Sequence, residues 1–202
     1  MATSKKSLNK QIIRRSFDIS VERAARLASF SIAPPFEFNS EIADRAEKLA
    51  HDDLIVFAIS ARRLFDATGL TALSRSSRVI ELRPQMNQWH LALEHRKEIP
   101  LRDILNMVVH SDLLEIATHE LHVLTLAGLH VPSDVSIRQI AEGDFRRTPP
   151  ILLLRSDKMA FRFIRLSQMI DCFGNCLDEI VGRCSDMGIE LEVSSDNEWP
   201  VV

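Results

Sequence analysis

The sequence contains no tyrosine and only six glycines in 202 residues. It lacks the glycine-rich loop with its lysine that cradles nucleotide phosphates, and it lacks the Gly-x-Ser-x-Gly elbow of serine hydrolases. Because phosphate-cradling loops use glycine where the backbone approaches the ligand, these absences argue against a nucleotide-binding enzyme. We therefore expect the protein to use no cofactor.

Cysteine is scarce and confined to one stretch of the chain. Cys172, Cys176 and Cys184 fall within a single segment of helical periodicity, and three cysteines cannot all pair in disulfides. They predict a reducing compartment. We interpret them as small buried hydrophobic residues rather than as metal ligands or nucleophiles.

Long hydrophobic runs are absent as well. No apolar stretch approaches the roughly 18 residues that a membrane-spanning helix requires. Lysines occur near the first residue, but the apolar core of a signal peptide does not follow them. The sequence therefore predicts a cytoplasmic protein without membrane association.

No charge of one sign dominates, since the net charge is −3 and the pI is near 6.2. This excludes the global basic field of a DNA-coating protein. The charge is nevertheless uneven, because residues 62–102 contain eight basic residues and four acidic ones. Arg62 and Arg63 begin this stretch on the polar side of a predicted helix, and we take them as candidate RNA-binding residues.

Hydrophobic periodicity predicts an α+β protein that is mainly α-helical, with a helical bundle core and a small antiparallel β-hairpin or sheet. Residues 1–39 are expected to form a polar, basic N-terminal arm with a short helix over residues 21–30. Residues 40–193 are predicted to form a single globular domain. The acidic residues 194–202 are predicted to be a C-terminal tail.

Within that domain, apolar residues spaced by three and four predict the longest helix over residues 40–68, and a division into two helices at Asp52 and Asp53 is left open as an alternative. Alternating apolar residues around a Ser-Asp-Lys turn predict a β-hairpin over residues 151–166. One helix is expected over residues 167–188, and a further strand over residues 189–193.

Four segments are less well defined. Residues 71–98 and 113–126 fit either strand or helix periodicity, and the sequence leaves both alternatives open. A short helix is expected over residues 133–143. The prolines within residues 148–150 are expected to form a stiff linker.

His119 and His122 are a weak candidate for a metal site. On a helix, a spacing of three would place both imidazoles on one face, whereas on a strand they would point to opposite faces. No cysteine pair or His-Glu-x-x-His pattern supplies further ligands. We therefore expect no metal site.

The most informative stretch spans residues 100–111. Pro100 suits the first position of a helix, because its missing N–H would have no helical partner there. As a helix, residues 101–110 separate a polar arc with Arg102, Asn106 and His110 from an apolar arc. An imidazole can take the proton of a ribose 2′-OH, and a guanidinium can hold two phosphate oxygens. These are the groups that RNA cleavage requires.

The run from Asn106 to His110 resembles the Asn-x-hydrophobic-hydrophobic-His end of the Arg-x(4–6)-His motif of HEPN domains. The resemblance covers about ten residues and extends loosely to the preceding helix around Arg62 and Arg63. One position departs from the motif, since Leu105 stands where the family has its arginine and Arg102 lies further upstream.

The resemblance implies a helical domain of a bacterial toxin or anti-phage system that cleaves or binds RNA without a metal. His110 would act as general base and acid, Arg102 would hold the phosphate, and Asn106 would orient one of them. A homodimer that brings two such sets together is also implied, with RNA as the substrate.

The departure at Leu105 favours a second hypothesis, in which the same scaffold has no catalytic activity. The protein would then be a protein–protein interaction subunit or the antidote of a toxin. A small-molecule or metal-dependent enzyme built on the histidines ranks third.

Overall fold

The computed structural model describes residues 2–32, 40–87, 90–129, 147–156 and 159–191. The described elements are, in chain order, α1 (Ala2–Ile32), α2 (Ser40–Thr68), α3 (Thr71–Ser76), β1 (Arg78–Asn87), β2 (His90–Pro100), α4 (Leu101–His110), β3 (Leu113–His119), α5 (Glu120–Leu126), β4 (Arg147–Ser156), β5 (Met159–Arg165), α6 (Leu166–Gly174) and α7 (Leu177–Asp186). The predicted class, mainly helical α+β, is confirmed.

The N-terminal segment is not the polar tail that the sequence analysis expected. The helix predicted over residues 21–30 begins at Ala2, and its side chains Ile13 and Phe17 are buried in the core that also holds the apolar face of α2. Arg23 on α1 is paired with the largely buried Asp53 on α2. The expectation of a solvated arm is therefore wrong for these residues, because apolar positions spaced four apart give the basic helix a core-facing side.

The five strands form one antiparallel sheet in the order β2-β1-β5-β4-β3. β1 and β2 pair along their whole length, whereas β1 and β5 pair only at Glu81 and Leu82. The predicted hairpin over residues 151–166 is confirmed as β4 and β5. Residues 71–98 resolve into α3, β1 and the start of β2, and residues 113–126 into a strand followed by a helix.

The two faces of the sheet are covered by different elements. Alternate strand residues such as Leu152 and Ile164 join the large core formed with α1, α2, α4 and α6. Their neighbours Leu153 and Phe163 face the opposite way, into a smaller cluster that includes Val123 on α5. Because side chains alternate along a strand, one sheet separates a face packed against α1, α2, α4 and α6 from a face against which, among the described elements, α5 packs.

Three local expectations are corrected. Residues 148–150 belong to β4 rather than to a linker. Their prolines lie opposite the stretch of β3 from Ala117 to His119, where the pairing of β3 with β4 is irregular and proline is tolerated. The helix expected over residues 167–188 is broken at Asn175 and Cys176 into α6 and α7. Residues 189–191 form no strand, and the predicted helix at 133–143 and tail at 194–202 lie outside the described residues.

Candidate functional site

The helix expected over residues 101–110 is present as α4 with the same bounds. The buried residues of α4 face the main core, and they are Leu101, Ile104, Leu105, Met107 and Val108. Arg102 and Asn106 are partly exposed, and His110 at the C-terminal end is exposed. Leu105, which stands at the arginine position of the motif that this run resembles, is therefore a core residue.

The His110 imidazole contacts a guanidinium from α2. Arg62 Nη1 lies 3.4 Å from His110 Nε2. A guanidinium has only donors, so His110 Nε2 accepts this long hydrogen bond in its neutral form, with the ring proton on Nδ1. The contact places a fixed positive charge next to a group that can accept a proton.

Arg102 is engaged elsewhere. Its guanidinium forms a two-pronged ion pair with Asp66, with Nη1 2.9 Å from Oδ1 and Nη2 3.0 Å from Oδ2. Nη1 also donates to the backbone carbonyl of Arg62 at 3.4 Å. The side chain of Arg102 is only 13% exposed. Arg102 thus ties α4 to α2 through Asp66 and through the backbone of Arg62, the residue whose guanidinium contacts His110.

The same contacts set the charge state of Asp66. Partial burial alone would raise the pKa of Asp66, but hydrogen bonds from Arg102 and Thr71 and the charges of Arg102 and Arg62 outweigh it. The pKa of Asp66 therefore lies below its ordinary value of 3.8. At neutral pH the carboxylate is ionised and neutralises Arg102.

Asn106 lies one helical turn after Arg102 and one turn before His110. Its Oδ1 is buried, and so is Nε of Arg62, and neither atom has a hydrogen-bond partner among the described residues. One atom is an acceptor and the other a donor. α2 therefore holds a buried donor, Arg62 Nε, and α4 a buried acceptor, Asn106 Oδ1, each without a hydrogen bond. Buried polar atoms in this state are uncommon in folded proteins.

An open cleft of about 540 Å³ adjoins this contact. It is lined by residues of three helices, namely Asn9, Ile12, Ile59, Arg62, Arg63, Asp66, Ala67 and Val109. Arg63 is exposed, as the prediction of an RNA-facing residue requires. The cleft therefore offers a candidate ligand with two guanidinium groups, one carboxylate and apolar walls.

The structure brings only part of the predicted set together. Arg62 and His110 meet between α2 and α4, and Asn106 lies on α4 one turn before His110. Arg102 shares the polar face of α4 with His110, but the eight helical steps from Arg102 to His110 separate their Cα atoms by roughly 12 Å along the axis. Sequence reasoning placed Arg62 on a phosphate surface and missed that it, rather than Arg102, contacts His110.

The remaining histidines do not form a comparable site. His119 ends β3, and His122 on α5 places Nε2 3.0 Å from the Glu115 carboxylate. Across the described parts of the chain, no three His, Cys, Asp or Glu side chains are grouped so that they could hold a metal ion.

The three cysteines are buried and unpaired, as the sequence analysis interpreted them. Burial raises the pKa of Cys172 to about 12, and it also raises the pKa values of Cys176 and Cys184. A thiol that stays protonated at neutral pH is a poor nucleophile. These residues therefore do not compete with the His110 region as a reactive centre.

No family model, curated protein or solved structure matches this chain. Among the described helices, none combines the length and the apolar character needed to cross a bilayer.

Proposed function

We propose that the protein is a cytoplasmic HEPN-like domain of a bacterial toxin or anti-phage system, and that it cleaves RNA without a metal. The observation that carries the proposal is the 3.4 Å contact between the Arg62 guanidinium and the His110 imidazole at the edge of an open cleft. A cation beside a neutral imidazole supplies both the phosphate ligand and the proton acceptor that the reaction needs.

In the proposed reaction, the Arg62 guanidinium shifts from His110 Nε2 to the phosphate, and the freed Nε2 takes the proton from a ribose 2′-OH. The 2′-oxygen attacks phosphorus, the bond from phosphorus to the 5′-oxygen breaks, and the proton returns from His110 to that leaving oxygen. The products are a 2′,3′-cyclic phosphate and a 5′-hydroxyl end. Arg62 stabilises the negative charge that builds on the phosphate oxygens during the step.

The other predicted residues receive roles that follow from their contacts. Arg102 acts as a positioning residue, because its guanidinium is bound to Asp66 and to the carbonyl of Arg62. Asn106 lies on α4 between Arg102 and His110, and its amide orients one of these two side chains. Arg63 is exposed beside the cleft and contacts the RNA backbone, where it contributes a salt-dependent part of the affinity.

The test is incubation of the purified protein with single-stranded RNA in EDTA, followed by analysis of the fragment ends. We expect fragments that end in a 2′,3′-cyclic phosphate. We also expect a rate loss of at least about a hundredfold in His110→Ala, the size expected for loss of a general base. Arg62→Ala should lose about a hundredfold or more, the size expected when a group that stabilises charge in the transition state is removed. DNA of the same sequence should remain intact, because it has no 2′-OH.

His122→Ala is the matched control. His122 is an exposed histidine on α5, on the other face of the sheet from α2 and α4, so its removal should leave the rate unchanged. Absence of cleavage by the unaltered protein, or equal cleavage by His110→Ala, would remove the nuclease proposal.

A second candidate function is a non-catalytic interaction subunit or antidote on the same scaffold. It is favoured by the engagement of Arg102 with Asp66, which leaves one guanidinium fewer for phosphate. A pull-down from the native host would then recover one stoichiometric protein partner while RNA stays uncleaved. Cleavage of RNA that depends on His110 would rule this candidate out.

A further inference from the structure

The face of the sheet that packs against α5 holds a second cavity, of about 560 Å³, which we call the α5-face cavity. Its lining is mostly apolar and consists of Leu82, Pro84, Met86, Ala127, Leu129, Phe161 and Phe163 together with Arg83, Gln85 and Arg96. The helices α2 and α4, which carry the Arg62–His110 contact, pack on the other face of the sheet. A volume of roughly 300–1,000 Å³ with apolar walls and a few polar groups is typical of small-molecule sites.

The apolar walls of the α5-face cavity are only partly covered by the protein. Leu82 and Phe163 are nearly buried, but Met86 is 37% exposed. Phe161 and Leu129 are also partly exposed. Phe161 and Phe163 lie on the same face of β5, because alternate residues of a strand share a face. An apolar ligand group placed here would remove this surface from water, and the cavity therefore favours a ligand with an apolar body.

The two charged residues in the lining are both arginines. Arg83 is exposed on β1, and among the described residues no acidic side chain is paired with it. Glu94, its partner in the register of β1 and β2, accepts a hydrogen bond from Gln85 Nε2 at 2.7 Å instead. The guanidinium of Arg83 is therefore available to an anion.

Arg96 reaches the cavity from a β-bulge. In the pairing of β1 with β2, Glu81 lies opposite Lys97 and Leu82 lies opposite His95, so Arg96 is the extra residue of β2. Bulges change the direction of a side chain and are common beside functional sites. The local geometry of β2 thus contributes a second cation to an otherwise apolar wall.

Arg96 also keeps free hydrogen-bond donors. Within the described residues its guanidinium makes one hydrogen bond, from Nη1 to Glu81 at 2.9 Å, and its side chain is 52% exposed. A guanidinium has five N–H donors. The Glu81 carboxylate is also paired with Lys97 and Arg162, so one negative charge faces three positive charges. The polar part of the cavity therefore has an excess of positive charge.

We propose that the α5-face cavity binds a small amphipathic organic anion. A carboxylate or phosphate group of the ligand accepts charge-assisted hydrogen bonds from Arg83 and Arg96. Its apolar body packs against Met86, Phe161 and Leu129 and is removed from water. This site lies on the other face of the sheet from the Arg62–His110 contact and does not depend on the proposed nuclease.

The test is isothermal titration calorimetry of the full chain with decanoate and with decyl phosphate, each below the concentration at which it forms micelles. We expect saturable binding, and the tighter of the two probes identifies the anionic group. Decanol should bind at least about tenfold more weakly, because it cannot form the charge-assisted hydrogen bonds. Acetate and inorganic phosphate should not bind, because they lack the apolar body.

Two substitutions test the two halves of the site. Arg83→Gln should weaken binding by about tenfold, the size expected for one hydrogen bond to a charged group. Ala127→Phe should abolish binding, because its ring fills the apolar part of the cavity. Arg78→Gln, an exposed arginine on β1 outside the lining, is the matched control and should bind like the unaltered protein. Circular dichroism should show all three variants folded, because none of these residues is buried.

Three results would overturn the inference. The first is no binding of either probe, as expected if another part of the chain fills the cavity. The second is binding that is equal for decanol or unchanged in Arg83→Gln. The third is a single-stranded oligodeoxynucleotide that displaces decanoate and binds more tightly, since the cavity would then belong to a nucleic-acid surface. Cleavage of RNA, or its absence, leaves all of these measurements unaffected.

Discussion

At the scale of single residues, His51 shows how one side chain joins a helix to the edge of the sheet. The backbone N–H of Ile116 on the edge strand β3 donates to His51 Nε2 at 3.2 Å, and this requires a neutral imidazole. Burial lowers the pKa of His51 below its ordinary value of 6.5, although the nearby carboxylates of Glu115, Glu47 and Asp52 act in the opposite direction. The hydrogen bond is therefore favoured at neutral pH.

This environment predicts a pH-dependent stability. As the pH falls below 6.5, His51 binds a proton in the unfolded chain before it does so in the folded protein. The free energy of unfolding should therefore decrease through this window until the pH passes the lowered pKa of the folded state. In His51→Gln, whose amide oxygen can accept the same N–H, this decrease should be smaller. Urea unfolding at neutral and mildly acidic pH measures the difference.

If the free energy of unfolding depends on pH identically in the unaltered protein and in His51→Gln, His51 does not titrate differently in the folded and unfolded states. His95→Gln is the matched control, because His95 is exposed on β2 and should leave the pH dependence as it is.

At the scale of secondary-structure elements, Glu81 compensates for the short pairing between β1 and β5. Its side chain is 1% exposed, and it accepts from Arg96 on β2 at 2.9 Å and from Arg162 on β5 at 2.7 Å. Lys97 on β2 lies 3.7 Å away. One buried carboxylate therefore connects three neighbouring strands where only two residue pairs join β1 to β5.

Glu81→Gln should lower the free energy of unfolding by about 3 kcal/mol, because a buried ion pair that loses one partner leaves the other charge uncompensated. Arg162 is mostly buried and bears most of this cost, whereas Arg96 and Lys97 are half exposed and can turn to solvent. Chemical denaturation measures the change. Glu94→Gln, an exposed glutamate on β2, should change stability by less than about 0.5 kcal/mol. Equal effects of the two substitutions would contradict the role given to Glu81.

At the scale of the whole molecule, α1 is part of the main core rather than an appendage. Ile13, Phe17 and Leu27 are buried in the same cluster as Phe57 and Phe65 of α2. The rings of Phe57 and Phe65 both pack edge-on against Phe173 of α6. α1, α2 and α6 therefore stabilise one another, and the α2 residues of the candidate site depend on this packing for their position.

Phe17→Ala should therefore destabilise the protein by about 3–5 kcal/mol, the range found when a buried phenylalanine is truncated. Arg15→Ala, an exposed position on α1 two residues earlier, should change stability by less than about 0.5 kcal/mol. Thermal and urea unfolding measure both variants. If Phe17→Ala behaves like the control, the N-terminal segment would be the polar, basic arm that its composition predicts, and the packing of α1 would not contribute to stability.

The elements that the sequence predicted well are those with a strong local period. The bounds of α4, the long α2 and the β4–β5 hairpin follow from the alternation of apolar and polar residues. Residues 71–98 and 113–126 could not be decided, because their periodicity fits both states and pairing with other strands selects one of them. The core role of α1 was missed, since its few apolar residues lie among many charged ones.

By itself, the sequence determined that this protein is mainly helical, that it has an antiparallel hairpin, and that α4 presents Arg102, Asn106 and His110 on one side. Only the tertiary structure decided which arginine contacts His110. Arg62 is 48 residues from His110 and Asp66 is 36 residues from Arg102, so both contacts depend on how α2 packs against α4. Local periodicity specifies which face of a helix is buried, but the partner of a polar side chain depends on where two helices meet in space.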